Sequence, residues 1–314
     1  MTRILRLLCI AVATAAPVAA ADPQPAAPPA NSDDLYKLGQ QLFDQYAPPE
    51  IKQQYDFPTK DQWDQFAARL QKALDNNSLQ DLADLEPQAR AAQAALQAIP
   101  GYGDYARWLE LRIDEIEAAK QAVALRAPAA PPPSEAAHAP SAIPLYDLWL
   151  GRVRDRPIPG DAAELMPRLR AAFAAEGVPP DLAWIAEAES TLDPGARSPS
   201  GAKGLFQLMP ETARNLGLGT FLPDERTDPD KSARASARYL RTLYGKFGSW
   251  PLALAAYNAG EGRVRRLLAS KSASSFAEVS PALPTQTRMY VPKVLAIVDV
   301  RTGTAPEDLP PPNA

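Results

Sequence analysis

The chain has 314 residues, 46% of them hydrophobic, and a formal net charge of -4, which is length for about two domains with a sizeable core and argues against a whole-protein nucleic-acid binder. Its only histidine is His138 and its only cysteine Cys9. That supply is too thin for a Ser-His-Asp triad, a Cys-His dyad or a multi-His or Cys-rich zinc site, so an enzyme here must run on carboxylates, hydroxyls, amides and Lys/Arg.

Arg3 and Arg6 form a basic start, Leu7–Ala16 an apolar stretch, and Val18–Ala21 a run of small residues. The pattern predicts a secretory signal peptide over residues 1–21. The apolar run is too short to span a bilayer and is broken by Pro17. Acylation of Cys9 would need a small residue where Leu8 stands. The mature chain is then expected outside the cytoplasm, with no cysteine to pair.

The 34 prolines, about twice the roughly 5% average, cluster at 22–30, 127–144 and 305–314. These stretches read as extended linkers or tails, with His138 a solvated linker residue. They leave two modules. Residues 22–126 carry 10 Lys+Arg against 17 Asp+Glu, and residues 145–304 carry 21 against 17. The second module is therefore basic, which suits an anionic substrate.

Residues 31–126 read as a helical module. Thr59-Lys60-Asp61-Gln62 is a capping-box signal. Asp104 can cap a long helix to Leu125, with Tyr105, Leu109, Ile113, Ile116 and Val123 near one face. No chemical constellation stands out there, and a spacer or docking role is expected. Residues 145–304 are also mainly helical. Asp228-Pro229 starts one helix, and Thr285 starts a last one towards Arg301 with Gly303 beyond. A small hairpin fits only Gly217–Leu222.

Leu182, Ile185, Ala186 and Glu189 stand at i, i+3, i+4 and i+7, which puts Glu189 on an apolar helix face. Burial and the helix C-terminus both favour its protonated form, as a general acid needs. A structural Glu that bridges backbone is the alternative on this spacing alone. Glu187 is expected in solvent. Gly201 and Gly204 allow a tight loop to approach the helix end. Ser198, Gln207 and Thr212 add neutral hydrogen-bonding groups, and Tyr257 is a natural partner for a buried acid.

Glu189-Ser190, Pro194, Ser198, Gly201-Ala202, Gly204-Leu205, Gln207, Pro210, Thr212-Ala213 and Ala256–Gly260 stand in the order and spacing of a known pattern. The segment 178–302 thereby resembles the soluble lytic transglycosylase (SLT) family, lysozyme-like enzymes that cut peptidoglycan. Its end from Leu283 is similar to the closing helix of the murein transglycosylase D branch. The resemblance implies a mainly α, lysozyme-like catalytic domain at 145–304 behind the helical module. It implies cofactor-free cleavage of the bond between N-acetylmuramic acid and N-acetylglucosamine, leaving 1,6-anhydro ends. Glu189 matches the catalytic acid and base, and Tyr257 the tyrosine that holds it. Ser198, Gln207, Met209, Thr212, Asn258, Gln286 and Tyr290 match substrate-contacting positions.

Two departures from the family pattern matter. Gln286 stands where many relatives have Glu, and the segment after the closing helix has no room for LysM repeats. Peptidoglycan strands are the expected partner. A cell-wall or secretion-machinery protein could dock through 31–126, and no nucleic acid is expected. A hydrolysing muramidase of the same fold, with Asp193 the nearest second carboxylate, and a non-catalytic glycan-binding scaffold are the rival functions.

Overall fold

The computed structural model describes Asp44 and residues 60–97, 103–125, 143–198 and 200–313. The expected signal peptide, the 22–30 segment, Thr59, His138 and most of the 127–144 stretch lie outside the described residues. Among the described residues there is no strand, only isolated bridges. The hairpin expected near Gly217–Leu222 is reduced to one bridge, Thr220 to Asp224.

Among the described residues the first module includes helices α1 (Lys60–Asp75), α2 (Leu79–Ala83), α3 (Glu86–Gln97) and α4 (Gly103–Ala124). In α1, Phe66, Leu70, Ala73 and Leu74 are buried, the one-face spacing of an amphipathic helix. Ser78 caps α2 by accepting the Asp81 amide, satisfying one of the orphan donors of a helix start. Asp104, expected ahead of the helix, stands within α4. Leu109, Ile113 and Ile116 are buried as their spacing predicts.

The second module opens with α5 (Tyr146–Arg154) and α6 (Ala162–Ala175), then a 3₁₀ turn at Pro180–Trp184 that leads into the short α7 (Ile185–Ser190). The single helix expected over residues 182–189 is thus two pieces, tightly wound at its start. After α8 (Pro210–Asn215) comes α9 (Pro229–Phe247), where the Asp228 carboxylate accepts two backbone amides and Pro229 fills the first turn. Gly248 ends α9 in the left-handed conformation, which glycine adopts without a Cβ penalty. Then follow α10 (Trp250–Ala259), α11 (Glu261–Lys271), α12 (Phe276–Val279) and α13 (Thr285–Thr302).

Helix α13 is the axle of the fold. Nearly every side chain from Thr285 to Val298 is buried except that of Gln286, so the helix has no solvent face and must be surrounded. It packs on α5, α7 and α10 of its own module and on α1 and α4 of the first. Hydrogen bonds to backbone carbonyls reinforce the junction: the Thr285 amide donates to Asn76 O at 2.6 Å, and the Arg288 guanidinium donates from Nη1 to Asn77 O at 2.6 Å.

The last stretch does not behave as a loose tail. Trp250 Nε1 donates to Pro310 O at 2.9 Å, the Asn313 amide donates to Gly177 O at 2.7 Å, and Leu309 is buried.

Candidate active site

Glu189 occupies the penultimate position of α7, partly buried in the wall of a cavity of about 960 Å³. The backbone turns sharply just beyond it. Thr191 and Leu192 both have positive φ, 55° and 63°, a conformation that costs a non-glycine residue on the order of 1–3 kcal/mol. The turn is held because Leu192 is fully buried and Ser190 Oγ donates to Leu205 O at 3.0 Å. That bond ties the helix end to the glycine loop.

The loop is stitched from within. Ser198 Oγ accepts the Ala202 amide at 3.0 Å and pairs with Ser200 Oγ at 2.9 Å. Gly204, at φ 79°, approaches so closely that a Cβ there would stand 1.9 Å from Arg226 O. Arg226 is itself buried and donates to Gly201 O at 2.8 Å and Leu208 O at 3.0 Å. Asp224 holds the other side of that guanidinium and also takes Lys203 Nζ at 3.0 Å. These contacts keep the Asp224 carboxyl well below its ordinary range. Gln207 has φ 46° and donates from Nε2 to Gly204 O at 2.9 Å.

Burial is the main force on Glu189. It pushes the carboxyl up from 4.5 to about 7, because an ionised form is costly away from water. Glu115 pushes the same way, while the Tyr290 hydroxyl and the Arg112 and Lys293 cations oppose it. Tyr290 OH donates to Glu189 Oε1 at 2.7 Å. The hydroxyl on the acid is thus that of Tyr290, expected in the groove, and not that of Tyr257. Tyr257 OH donates to Phe206 O at 2.9 Å and lies 3.4 Å from Ser236 Oγ. The physical reason is the course of α13, which lays Tyr290 across the end of α7 while α10 turns Tyr257 onto the loop backbone.

The other expected site residues separate into two groups. Gln207 lines the same cavity as Glu189. Ser198, Met209, Thr212, Asn258 and Gln286 do not line it. Ser198 is spent inside the loop, and Asn258 Oδ1 accepts from Thr287 Oγ1 at 2.8 Å. Met209, 41% exposed, precedes α8, with Thr212 in that helix's first turn. Gln286 is partly buried at the start of α13.

Glu187 corrects a further expectation. It is 7% exposed rather than solvated, and both its oxygens take Arg301, at 2.7 and 2.9 Å. Asp193 lines the cavity, but it is engaged by Arg107 at 3.0 Å and by the Gly195 amide at 2.8 Å.

The far wall of the cavity comes from α4, which sequence reasoning left without chemistry. Trp108, Asp114 and Glu117 of that helix line it. Asp114 is the hub that holds α4 there, taking Arg156 at 2.5 Å, Arg152 at 2.7 Å and the fully buried Lys293 at 3.2 Å. These cations lower the Asp114 carboxyl to about 2 against the opposing effect of burial. The three also surround the Trp149 ring, 5.4–5.7 Å from its centroid. The same stretch of α4, residues 108–117, carries both the cavity face and this anchor.

Residues 169–280 match the family described as transglycosylase SLT domain. The chain carries an SLT domain. The SLT region is 39% identical over 127 residues to membrane-bound lytic murein transglycosylase D of Escherichia coli, covering 39% of this chain and 28% of that protein. It is 39% identical over 122 residues to the soluble lytic murein transglycosylase of Salmonella typhimurium, covering 36% of this chain and 19% of that protein. The chain thus spans under a third of the length of these curated relatives. A solved structure, the 70 kDa soluble lytic transglycosylase of Escherichia coli, is 20% identical with a TM-score of 0.41, covering 88% of this chain and 44% of that one. Glu189, the glycine loop and Tyr257 all lie inside the SLT match, whereas Tyr290 and α4 lie outside it.

Proposed function

We propose that the chain is a peptidoglycan lytic transglycosylase in which Glu189 is general acid and then general base. The observation that supports this most directly is a carboxyl held near pH 7 by burial, at a cavity wall and under a tyrosine hydroxyl. A group that titrates near the working pH can both give and take a proton.

Protonated Glu189 gives its proton to the oxygen that links N-acetylmuramic acid to N-acetylglucosamine. The C1–O bond breaks and N-acetylglucosamine leaves with that proton as its 4-hydroxyl. The carboxylate then removes the proton from the muramoyl 6-hydroxyl as O6 attacks C1, closing the 1,6-anhydro ring. The nucleophile belongs to the substrate, so no second carboxylate at a fixed separation is required. Tyr290 orients the acid and steadies its ionised form between the two steps. Gln207, in the same cavity, is proposed to contact the sugars beside the broken bond. Met209, Thr212, Asn258 and Gln286 would meet the strand farther along, and Ser198 would act by shaping the loop.

Export through residues 1–21 to the cell envelope, and docking of an envelope protein on the first module, belong to the same proposal. A hydrolysing muramidase is the second reading, favoured by Asp193 at the cavity wall. Its engagement by Arg107 and the Gly195 amide leaves it poorly placed to activate water.

Mass spectra of the fragments released from purified peptidoglycan test the reading. Anhydro-muramoyl ends are expected. Reducing ends would make the enzyme a muramidase, and glycan binding without fragments would make it a scaffold. Glu189→Gln should lower turnover by about 10²–10⁴, and unchanged turnover would remove Glu189 from the chemistry.

A further inference from the structure

Helix α4 lies outside the SLT match, yet it forms a wall of the cavity that holds Glu189. Arg107, Leu111 and Asp114, at i, i+4 and i+7, all line that wall, whereas Leu109 and Ile116 are buried in the core. The helix therefore has a core face and a cavity face. Trp108 lies at the border between them, partly buried against the core while also lining the cavity.

A tryptophan at a cavity wall offers a large flat apolar surface at little cost in conformational freedom. Arg107, Gln93 and Glu110 line the same cavity and supply donors and acceptors. An apolar plane flanked by polar groups is complementary to a pyranose ring, whose C–H face is apolar and whose edge carries hydroxyl and acetamido groups. The wall is also fixed in place. Asp114 ties α4 to α5 and α13, and Arg107 pairs with Asp193 on the loop just past Glu189. At about 960 Å³ the cavity is at the upper end of the ~300–1,000 Å³ of small-molecule sites, so it suits an extended strand better than a single sugar.

We propose that Trp108, with Arg107 beside it, forms a further saccharide subsite on the helix preceding the SLT domain, for the same glycan strand whose bond reaches Glu189. This rests on the glycan reading of the cavity given above.

The test is calorimetric binding of peptide-free oligomers of alternating N-acetylglucosamine and N-acetylmuramic acid, two, four and six sugars long, to full-length Glu189→Gln. Affinity is expected to rise with length. Adding Trp108→Ala should weaken the six-sugar oligomer by about tenfold, the scale of one aromatic contact, and leave the two-sugar unit unchanged. Trp108→Phe keeps an aromatic plane and packing and should recover most of that loss. Arg107→Ala, a change at an exposed side chain that leaves the core intact, should give a smaller loss with the same length dependence. Equal weakening at every length, or no weakening in any variant, overturns the subsite and leaves the role of Glu189 standing. If no oligomer binds and the wild-type chain releases no fragments from peptidoglycan, the glycan reading fails and the subsite fails with it.

Discussion

A carboxyl raised to about 7 from an ordinary 4.5 binds more protons in the folded chain than in the unfolded one between those two values. Stability therefore falls as pH rises through that window, by on the order of 2 kcal/mol once partial exposure is allowed for. Glu189→Gln has no charge to bury. In thermal melts it should match the wild type at pH 4 and exceed it by a few degrees at pH 8. The Tyr290 hydroxyl favours the ionised acid, so Tyr290→Phe should move the alkaline limb of the activity profile to higher pH. Tyr257→Phe, which removes bonds to Phe206 and Ser236 instead, should leave that limb in place. A shift in the Tyr257 variant alone would reverse the assignment.

At the scale of elements, the glycine loop is held against the α7 end by close backbone approach as well as by burial of Leu205, Phe206 and Leu208. Gly204→Ala places a methyl 1.9 Å from Arg226 O at a positive φ. It should destabilise the domain by about 2–4 kcal/mol, read by chemical denaturation, with loss of activity before loss of helicity. The loop residues and Glu189 were legible because both lie within one short stretch of sequence. Apolar spacing at Leu182, Ile185 and Ala186 was enough to turn Glu189 inward. Glu187 was misjudged because spacing describes one helix alone, whereas its partner Arg301 comes from a helix that crosses it much later in the chain. The same limit applies to Tyr257 and Tyr290. Both are aromatic hydroxyls of the second module, and only the packing of α13 over α7 decides which one reaches the acid. The Asp224–Arg226 pair had a nearer signal, an acid two residues before a base next to a helix cap, but nothing in it announced that the guanidinium would turn inward to the loop carbonyls.

Across the whole molecule, the two modules share a charged junction. Asp114→Asn would remove the carboxylate that pairs with the buried Lys293, a change worth about 3–5 kcal/mol. The Asp114 carboxyl is lowered to about 2 from 3.8, so its contribution is present above pH 3.8 and lost as pH falls through 2. The variant should show a lowered melting temperature at pH 7, with the difference from wild type shrinking in strong acid. The sequence marked the proline-rich divide and the opposite charge of the two sides. It did not reveal that those charges meet, because helical periodicity ranks Asp114 as a polar-face residue and gives no information about what covers that face.

Helix α13 has a kinetic consequence. It follows α1, α4, α5, α7 and α10 in the chain and is buried against all of them. Neither module can complete its core until it docks, so the decisive contacts are distant in sequence and close large loops. Such contacts slow folding and bind the parts into one cooperative unit. Both modules should melt in a single transition seen alike by tryptophan fluorescence and by circular dichroism. Substitutions along α13 should then change the folding rate of the acidic module as much as that of the basic one.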